Sequence, residues 1–395
     1  MARKISFSSM FRSAETNSLI QADLDKFGLS HGIDVAYQEF DISTGWSDFM
    51  RMSIYGGSPD VSEIGTTWIH DFAAMNVLRS FSASEVRSVG GMETFVPGLW
   101  RSGVSAGVVW AIPWLTDISM VTYRRDMLAK AGIEEQGAFE TPERFAETLH
   151  RLQQAGIAAP WVVPTQRSYL SVHNLAMWVW QAGQDLVDTE KKTVLFNHPP
   201  VRSAILSYFG LYRYISKEMQ HLSERDADQM FINGKAAVTI GGPWNITYSM
   251  RTPEAAANIG LAIPLGNSYT GGSNLIVWER TLQSAAALEL IGFLTGREFQ
   301  TTFPKTMGLL PGRMDCLDSF PLPDPAHYPL VSRALKTGRS LPSIGLWGLI
   351  EDRLAHAIPR LWDDIFASQQ PDLEALYDEH ILPLTNRLNL TLAQS

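Results

Sequence analysis

Five tryptophans stand at expected turns of the chain, and they are the side chains whose chemistry the sequence shows most clearly. They are Trp46, Trp68, Trp114, Trp244 and Trp347, each after a predicted strand or beside Gly or Pro. The chain holds 12 Trp against 11 Tyr, although Trp is ordinarily the rarer residue. An indole has an apolar face and a polar N–H edge, so it suits a sugar ring whose hydroxyls bond to nearby polar groups. The pattern favours an aromatic ligand site, with burial in a core as the alternative for each residue.

Six other tryptophans are expected to pack inside the protein. They are Trp100, Trp110, Trp161, Trp178, Trp180 and Trp362. Two of them lie in the apolar, helix-like run 175–180. Trp278, at an expected strand end, is compatible with either role.

The sequence carries no motif for catalysis or metal binding. Phosphate-loop, dinucleotide, HExxH, EF-hand and GxSxG patterns are absent. Cys316 is the single cysteine, which excludes an intramolecular disulfide and a CxxC pair. The adjacent acids 351–352 and 363–364 fall on predicted helices and point about 100° apart, so neither pair forms an acid/base couple. We therefore predict no catalytic residue, no metal and no cofactor. A couple built from distant acids, as in a glycoside hydrolase or lyase, is the alternative.

Composition limits the class of protein. The chain has 395 residues, enough for two or three domains. Its 32 Lys+Arg against 41 Asp+Glu give a net charge of -9, which argues against nucleic acid as the main partner. No apolar stretch approaches the roughly 18–20 residues that a membrane span needs. The basic start lacks the apolar segment of a secretory signal, so the expectation is a cytoplasmic protein or a mature chain whose signal was removed.

Periodicity predicts an α/β protein. Residues 5–7 and 33–37 alternate as strands around a helix that stops near Gly28, and 59–65 forms a third strand. Further helices are predicted near 141–156, 171–183, 200–215, 281–303, 346–366 and 371–388, with a buried strand at 236–240. The portion after about residue 278 is expected to be mainly helical. Because no Pro/Ser-rich linker divides the chain, we expect domains that share several crossings.

Seven segments, in chain order, resemble the extracellular solute-binding proteins of bacterial ABC sugar importers, the family that includes maltose-binding protein. They are 56–61, 67–73, 111–114 with 123–133, 141–145, 230–237, 242–244 and 271–273. The resemblance implies a two-lobed fold, each lobe a central sheet flanked by helices, with three hinge crossings near 112–116, 273–277 and 308–312.

The same resemblance implies boundaries and partners. The N-terminal lobe would comprise 1–113 and 277–308, and the C-terminal lobe 114–276 and 309–395. The protein would be a secreted monomer in the periplasm or cell envelope. It would capture a carbohydrate in the cleft between the lobes by hinge closure and deliver it to an ABC permease. The alternatives are the hydrolase or lyase above and a binding protein for a non-sugar solute.

Site residues follow from matching positions. Trp68 and Asp71 match the first-lobe aromatic and acid, and Trp244 and Trp347 match the second-lobe stacking residues. Asp117 matches a position that binds hydroxyls, and 272–274 (Gly272, Ser273 and Asn274) line the hinge side of the cleft in some members.

The sequence also departs from the family pattern. Phe72 stands where maltose-binding protein has a sugar-binding arginine. Arg12 follows the first strand, and Arg167 lies in a loop expected to face the cleft. These arginines are compatible with an acidic or sulfonated sugar and equally with neutral hydroxyls.

Overall fold

The structure, a computed structural model, describes residues 3–10, 13–249, 252–322, 324–342 and 344–394, without the side chains of residues 43 and 326. Arg12, an expected ligand contact, lies outside the described residues. Within these ranges, none of the helices combines the length and the apolar character needed to cross a membrane.

Strands and helices alternate through the first three quarters of the chain, and helices dominate the rest. The strands are β1 (Arg3–Met10), β2 (Ile33–Phe40), β3 (Val61–Gly65), β4 (Leu78–Arg79), β5 (Val104–Ser105), β6 (Val108–Val109), β7 (Ala111–Ile118), β8 (Met120–Arg124), β9 (Trp161–Val162), β10 (Val187–Asp188), β11 (Thr193–Val194), β12 (Val238–Gly241), β13 (Ile259–Ala262), β14 (Thr270–Trp278) and β15 (Leu310–Pro311). The helices are α1 (Ala14–His31), α2 (Ile42–Tyr55), α3 (Ile69–Ala74), α4 (Ala83–Ser88), α5 (Pro97–Ser102), α6 (Arg125–Lys130), α7 (Pro142–Gln154), α8 (Tyr169–Gln181), α9 (Pro199–Phe209), α10 (Glu224–Ile232), α11 (Pro243–Ser249), α12 (Pro253–Ala257), α13 (Ser284–Leu294), α14 (Arg297–Thr306), α15 (Tyr328–Thr337), α16 (Trp347–Ala367), α17 (Leu373–His380) and α18 (Leu382–Leu392).

The chain forms two compact units. Unit 1 comprises Met1–Asp117 and Thr270–Pro321, and unit 2 comprises Ile118–Tyr269 and Leu322–Ser395. The chain passes between the units three times, after residues 117, 269 and 321. These positions differ from the expected boundaries after 113, 276 and 308. The reason is that β7, β14 and β15 all belong to the sheet of unit 1, so the first crossing falls at the end of β7, the second directly before β14 and the third after β15.

Unit 1 is built on a mixed sheet. Its described strands lie in the order β15-β7-β14-β3-β1-β2, with β4 also paired to β14. The predicted strand–helix–strand opening is confirmed, because β1 pairs in parallel with β2 and also with β3. The helix between β1 and β2, α1, continues past Gly28 to His31. Its C-cap is Gly32, which adopts a left-handed φ of 65°. Gly28 has a different role: a Cβ there would lie 2.6 Å from the Ile33 carbonyl oxygen, so it lets α1 pack closely on β2.

Unit 2 has a smaller sheet in the order β13-β8-β12-β9. β12 runs parallel to β9, and β8 runs antiparallel to both β12 and β13. The predicted helix 141–156 is confirmed as α7, whose N-cap Thr141 accepts a hydrogen bond from the Arg144 N–H. Its apolar face, with Phe145, Leu149 and Leu152, is buried.

The C-terminal portion is mainly helical, as predicted, since β15 is the one strand described after residue 278. Two predicted helices are each divided. The helix predicted near 281–303 is divided into α13 and α14, which are separated at 295–296. The second is α17 and α18, and Pro383 in the first turn of α18 cannot donate the backbone hydrogen bond that would continue α17.

Trp114 lies in the core of unit 1. It is completely buried, and its ring stacks near Phe299 and Phe303 at centroid distances of 6.3 and 6.0 Å. The edge-on ring of Phe7 is 6.0 Å away. An indole enclosed by phenylalanine rings offers no face to a ligand. Trp114 was expected to contact the ligand, but its surroundings are those of a core packing residue. The reason is that it lies on β7, inside the sheet, and not at a strand end.

Replacing Trp114 by alanine should lower the free energy of unfolding by about 3–5 kcal/mol, because it leaves a large cavity in a packed core. Urea unfolding followed by circular dichroism measures the loss. Trp114→Phe keeps an aromatic ring and should cost less. An alanine variant as stable as the parent protein would contradict the packing role.

Candidate functional site

The sheet of unit 1 delivers several expected site residues to one side. Because β1, β2 and β3 are parallel, they end on the same side, here called the carboxyl edge of unit 1. Helices α2 and α3 begin beyond this edge and carry Trp46 and Asp71. β14 is antiparallel to β3, and its Ser273 pairs with Gly65, so the start of β14 lies at the same edge. Ligands of open α/β sheets gather at such edges.

An indole–carboxylate hydrogen bond joins two of these residues. The Trp46 Nε1–H donates to Asp71 Oδ2 at 3.3 Å. Asp71 is only 6% exposed, whereas Trp46 is half-buried. A carboxylate held in this way is the natural acceptor for a ligand hydroxyl or amine at this edge.

Trp68 has a more enclosed position than Trp46. It is 3% exposed and packs edge-on against Phe49 at 6.2 Å. A Cβ added at Gly65 would lie 3.5 Å from its ring, an ordinary van der Waals contact, so the indole rests against the chain at this point. Phe72, which replaces an arginine of the resembled family, is also completely buried, and it packs against Phe49 at 5.7 Å.

Asp117 and Gly272 lie side by side at the carboxyl edge of unit 1. Gly272 has a left-handed φ of 126°. A Cβ there would lie 2.1 Å from the Leu115 carbonyl oxygen and 2.9 Å from the Asp117 amide nitrogen. The glycine therefore permits the start of β14 to approach the end of β7 closely, next to two of the chain crossings.

Asn274 points inward from this edge. It is completely buried, and its amide donates to the Leu99 carbonyl oxygen at 3.2 Å. Its neighbour Ser273 is also buried. Of the expected contacts in unit 1, the half-buried Trp46 and the carboxylate of Asp71 therefore have the environment that fits ligand recognition best.

The sheet of unit 2 has a comparable edge. β9 and β12 are parallel, so the segments that follow them, 163–168 and 242–244, leave the sheet on one side. We call this side the carboxyl edge of unit 2. It brings Arg167 from the first segment and Trp244 from the second to the same end of the sheet.

Trp244 is half-buried and hydrogen-bonded. Its Nε1–H donates to Asp228 Oδ2 at 2.7 Å. Asp228 lies on α10, and Trp244 is the second residue of α11. Unit 2 thus repeats the indole–carboxylate pair found in unit 1.

Arg167 forms an ion pair. Its Nη2 lies 3.0 Å from Asp352 Oδ1 on α16. Its guanidinium lies over the ring of Tyr169, 5.5 Å from the centroid. Burial, reinforced by the nearby Glu351 carboxylate, raises the pKa of Tyr169 to about 12, so this hydroxyl stays protonated at neutral pH. The positive charge of Arg167 is therefore already matched by a carboxylate of the same unit.

A second polar pair joins α8 to α16. Glu351, 1% exposed, lies 3.3 Å from His173 Nε2. The His173 ring stacks on Tyr269 at a centroid distance of 3.8 Å. Trp347, one helical turn before Glu351, is completely buried, and its Nε1 has no hydrogen-bond partner within the described ranges.

The adjacent acids on α16 use separate partners, as helical spacing predicts. Glu351 bonds to His173 while Asp352 bonds to Arg167. Farther along the helix, Asp363 pairs with one histidine and Asp364 with another, at 3.0 and 2.6 Å. Among the residues that the structure describes, no group of three or more His, Cys, Asp or Glu side chains could hold a metal ion.

Comparison with known proteins identifies the family. Residues 24–330, well over half of the chain, match the sequence pattern of the bacterial extracellular solute-binding proteins. The chain belongs to this family. The diacetylchitobiose-binding protein DasA of Streptomyces coelicolor is 25% identical to this solute-binding protein over 304 residues, which cover 74% of the chain and 69% of DasA.

Solved structures share the fold of this solute-binding protein. An ABC transporter solute-binding protein of Thermotoga lettingae, bound with α-D-tagatose, has a TM-score of 0.82 and 18% identity, covering 99% of this chain and 100% of its own. The sugar-binding protein MalE of Xanthomonas citri has a TM-score of 0.79 and 22% identity, covering 99% and 98%. The likeness confirms the expected two-lobed α/β fold of periplasmic binding proteins.

Sequence reasoning missed the carboxylates that hold the site residues of this solute-binding protein. Asp228 precedes its tryptophan by 16 residues and sits on another helix, and no local pattern links the two. Asp352 pairs with an arginine 185 positions earlier. Glu63 on β3 is also fully buried, and its carboxylate accepts a hydrogen bond from the Met10 N–H at 2.8 Å.

Gly272→Ala should destabilise this solute-binding protein by about 1–3 kcal/mol, because alanine is strained at a positive φ and its Cβ would meet the backbone of β7. Thermal unfolding measures the effect. Gly292→Ala is the matched control: it lies in α13 with nothing within 4 Å of the added Cβ, so it should leave stability equal or raise it by up to about 1 kcal/mol. Equal effects of the two substitutions would show that Gly272 is not constrained.

Proposed function

We propose that this protein is the carbohydrate-binding component of an ABC importer, acting outside the cytoplasm and passing its ligand to a membrane permease. The observation that carries the proposal is the indole–carboxylate pair at the carboxyl edge of each unit, Trp46–Asp71 and Trp244–Asp228. Membership of the solute-binding family supports the same conclusion. So do relatives whose names describe binding of diacetylchitobiose and maltodextrin.

The two side-chain types supply complementary parts of sugar recognition. The indole face of Trp244 is suited to stacking on the C–H face of a sugar ring. Carboxylates such as Asp71 accept hydrogen bonds from hydroxyls, and these charge-assisted bonds are stronger than neutral ones. Asp117 is proposed to contribute in the same way.

Ligand capture is proposed to involve a hinge movement at the three chain crossings after residues 117, 269 and 321. A sugar that contacts both units at once stabilises the closed conformation by a population shift. Small-angle scattering with and without ligand measures the change in radius of gyration. A monomer that binds one sugar and shows no turnover fits this proposal, and release of a cleaved product would instead favour the hydrolase alternative.

A sugar panel tests the ligand class. N,N′-diacetylchitobiose, maltotriose, tagatose and mannitol, taken from the names of related proteins, should include at least one compound that raises the melting temperature. Stabilisation follows because a ligand that binds only the folded state shifts the unfolding equilibrium. If no carbohydrate stabilises the protein while a non-sugar solute does, the proposed ligand class is wrong.

Trp244→Ala should weaken sugar binding by roughly 1–3 kcal/mol, by analogy with the range measured for nucleic-acid bases that stack on aromatic side chains. Isothermal titration calorimetry gives the affinity. Tyr55→Ala is the control, since Tyr55 is an aromatic residue 82% exposed at the far end of α2. Unchanged affinity in the Trp244 variant would remove this residue from the site.

The Arg167–Asp352 ion pair predicts a preference for neutral sugars over uronic acids. Because Asp352 neutralises Arg167, an anionic ligand near the pair lacks the attraction that an unpaired arginine would give, a penalty on the order of 1 kcal/mol. Asp352→Asn should remove this penalty and raise the affinity for a uronate relative to the neutral sugar. Competition binding measures the ratio, and a wild-type protein that prefers the uronate would contradict the prediction.

A further inference from the structure

We propose that Asp228 is a positioning residue that fixes the indole of Trp244 in one orientation before any ligand binds. Its role in sugar recognition rests on the proposed function, whereas the fixed orientation itself is a property of the protein alone. In this proposal the carboxylate of Asp228 acts through the tryptophan.

The hydrogen bond between the two side chains is short and charge-assisted. The Nε1–H of Trp244 donates to Asp228 Oδ2 at 2.7 Å, in a partly buried setting. The corresponding pair in unit 1, Trp46 with Asp71, is longer at 3.3 Å. Hydrogen bonds to an ionised acceptor are roughly twice as strong as neutral ones, and partial burial reduces competition from water.

A second restraint acts on the opposite side of the same ring. A Cβ added at Gly242 would lie 2.0 Å from Cζ3 and 2.3 Å from Cη2 of Trp244, so the six-membered ring rests against the glycine backbone. Pro243, the first residue of α11, fixes the backbone between them. The benzene side of the indole is therefore held by the chain and the pyrrole N–H by Asp228.

The exposure of Trp244 distinguishes this pair from an ordinary packing contact. Trp180 also donates to a carboxylate, that of Asp185, at 3.2 Å, but Trp180 is 3% exposed and lies in the core of unit 2. Core packing alone fixes such a ring. The half-buried indole of Trp244 lacks that enclosure, so a directional hydrogen bond is needed to hold it. Holding it in advance removes the entropy cost of ordering the ring when a ligand arrives.

The orientation is tested on the full chain labelled with 5-fluorotryptophan, without any ligand. The ¹⁹F NMR spectrum should resolve the 12 Trp residues, and Trp244→Phe identifies the Trp244 resonance by its loss. We expect Asp228→Ala to broaden or split that resonance and to leave the others unchanged. Asp228→Asn retains an acceptor oxygen and should restore a single narrow line.

Asp185→Ala is the matched control, because it removes a Trp–Asp hydrogen bond elsewhere in unit 2 and should leave the Trp244 resonance as it was. An Asp228→Ala spectrum with an unchanged Trp244 line would overturn the proposal. A spectrum in which all tryptophan lines change together would overturn it as well, since that result reports a general structural role.

The contribution to binding is tested with N,N′-diacetylchitobiose by calorimetry. Asp228→Ala should weaken binding about 2- to 12-fold, the range expected for ordering one side chain. It should have no effect in the Trp244→Phe background, which lacks the N–H donor. Equal weakening in both backgrounds would overturn the positioning role. If the unaltered protein does not bind this sugar, the proposed ligand has failed, while the NMR result still decides whether Asp228 fixes the ring.

Discussion

The direction of parallel strands is the constraint on which both units depend. When neighbouring strands run the same way, every segment that follows them leaves the sheet on one side. In unit 1 this brings together the starts of α2 and α3, and in unit 2 it brings together the segment before α8 and the start of α11. Residues far apart in the sequence become neighbours because the sheet ends there, and the irregular segments at this edge can carry polar and aromatic side chains that a packed core would not accept.

Carboxylates hold candidate site residues at these edges. Asp71 and Asp228 each accept an indole N–H, and Asp352 pairs with Arg167. We propose that these acidic residues orient aromatic rings and set the charge that a ligand would meet. At the carboxyl edge of unit 2, the positive charge of Arg167 is therefore already paired with a carboxylate.

Local patterns predicted the elements well, because they depend on neighbours in the sequence. The alternation around Phe7 predicted β1, and the Thr-Pro-Glu signal at 141–143 predicted the start of α7. The Gly-Gly-Pro turn also marked where Trp244 would stand, whereas Trp46, expected at a turn, lies on α2. The positions expected for the crossings from local patterns differ by several residues from the divisions between the units, since the pairing of β7, β14 and β15 within one sheet depends on residues nearly 200 positions apart.

The amino-acid sequence by itself determined the α/β class, the strand–helix–strand opening, the helical C-terminal portion and the excess of tryptophan. The tertiary structure decided which tryptophans are available. Trp114 is enclosed by the rings of Phe7, Phe299 and Phe303, whereas Trp244 remains half-buried with its N–H on Asp228. The physical reason is that periodicity reports which face of an element is apolar, but exposure and hydrogen bonding are set by distant segments that only folding brings into contact.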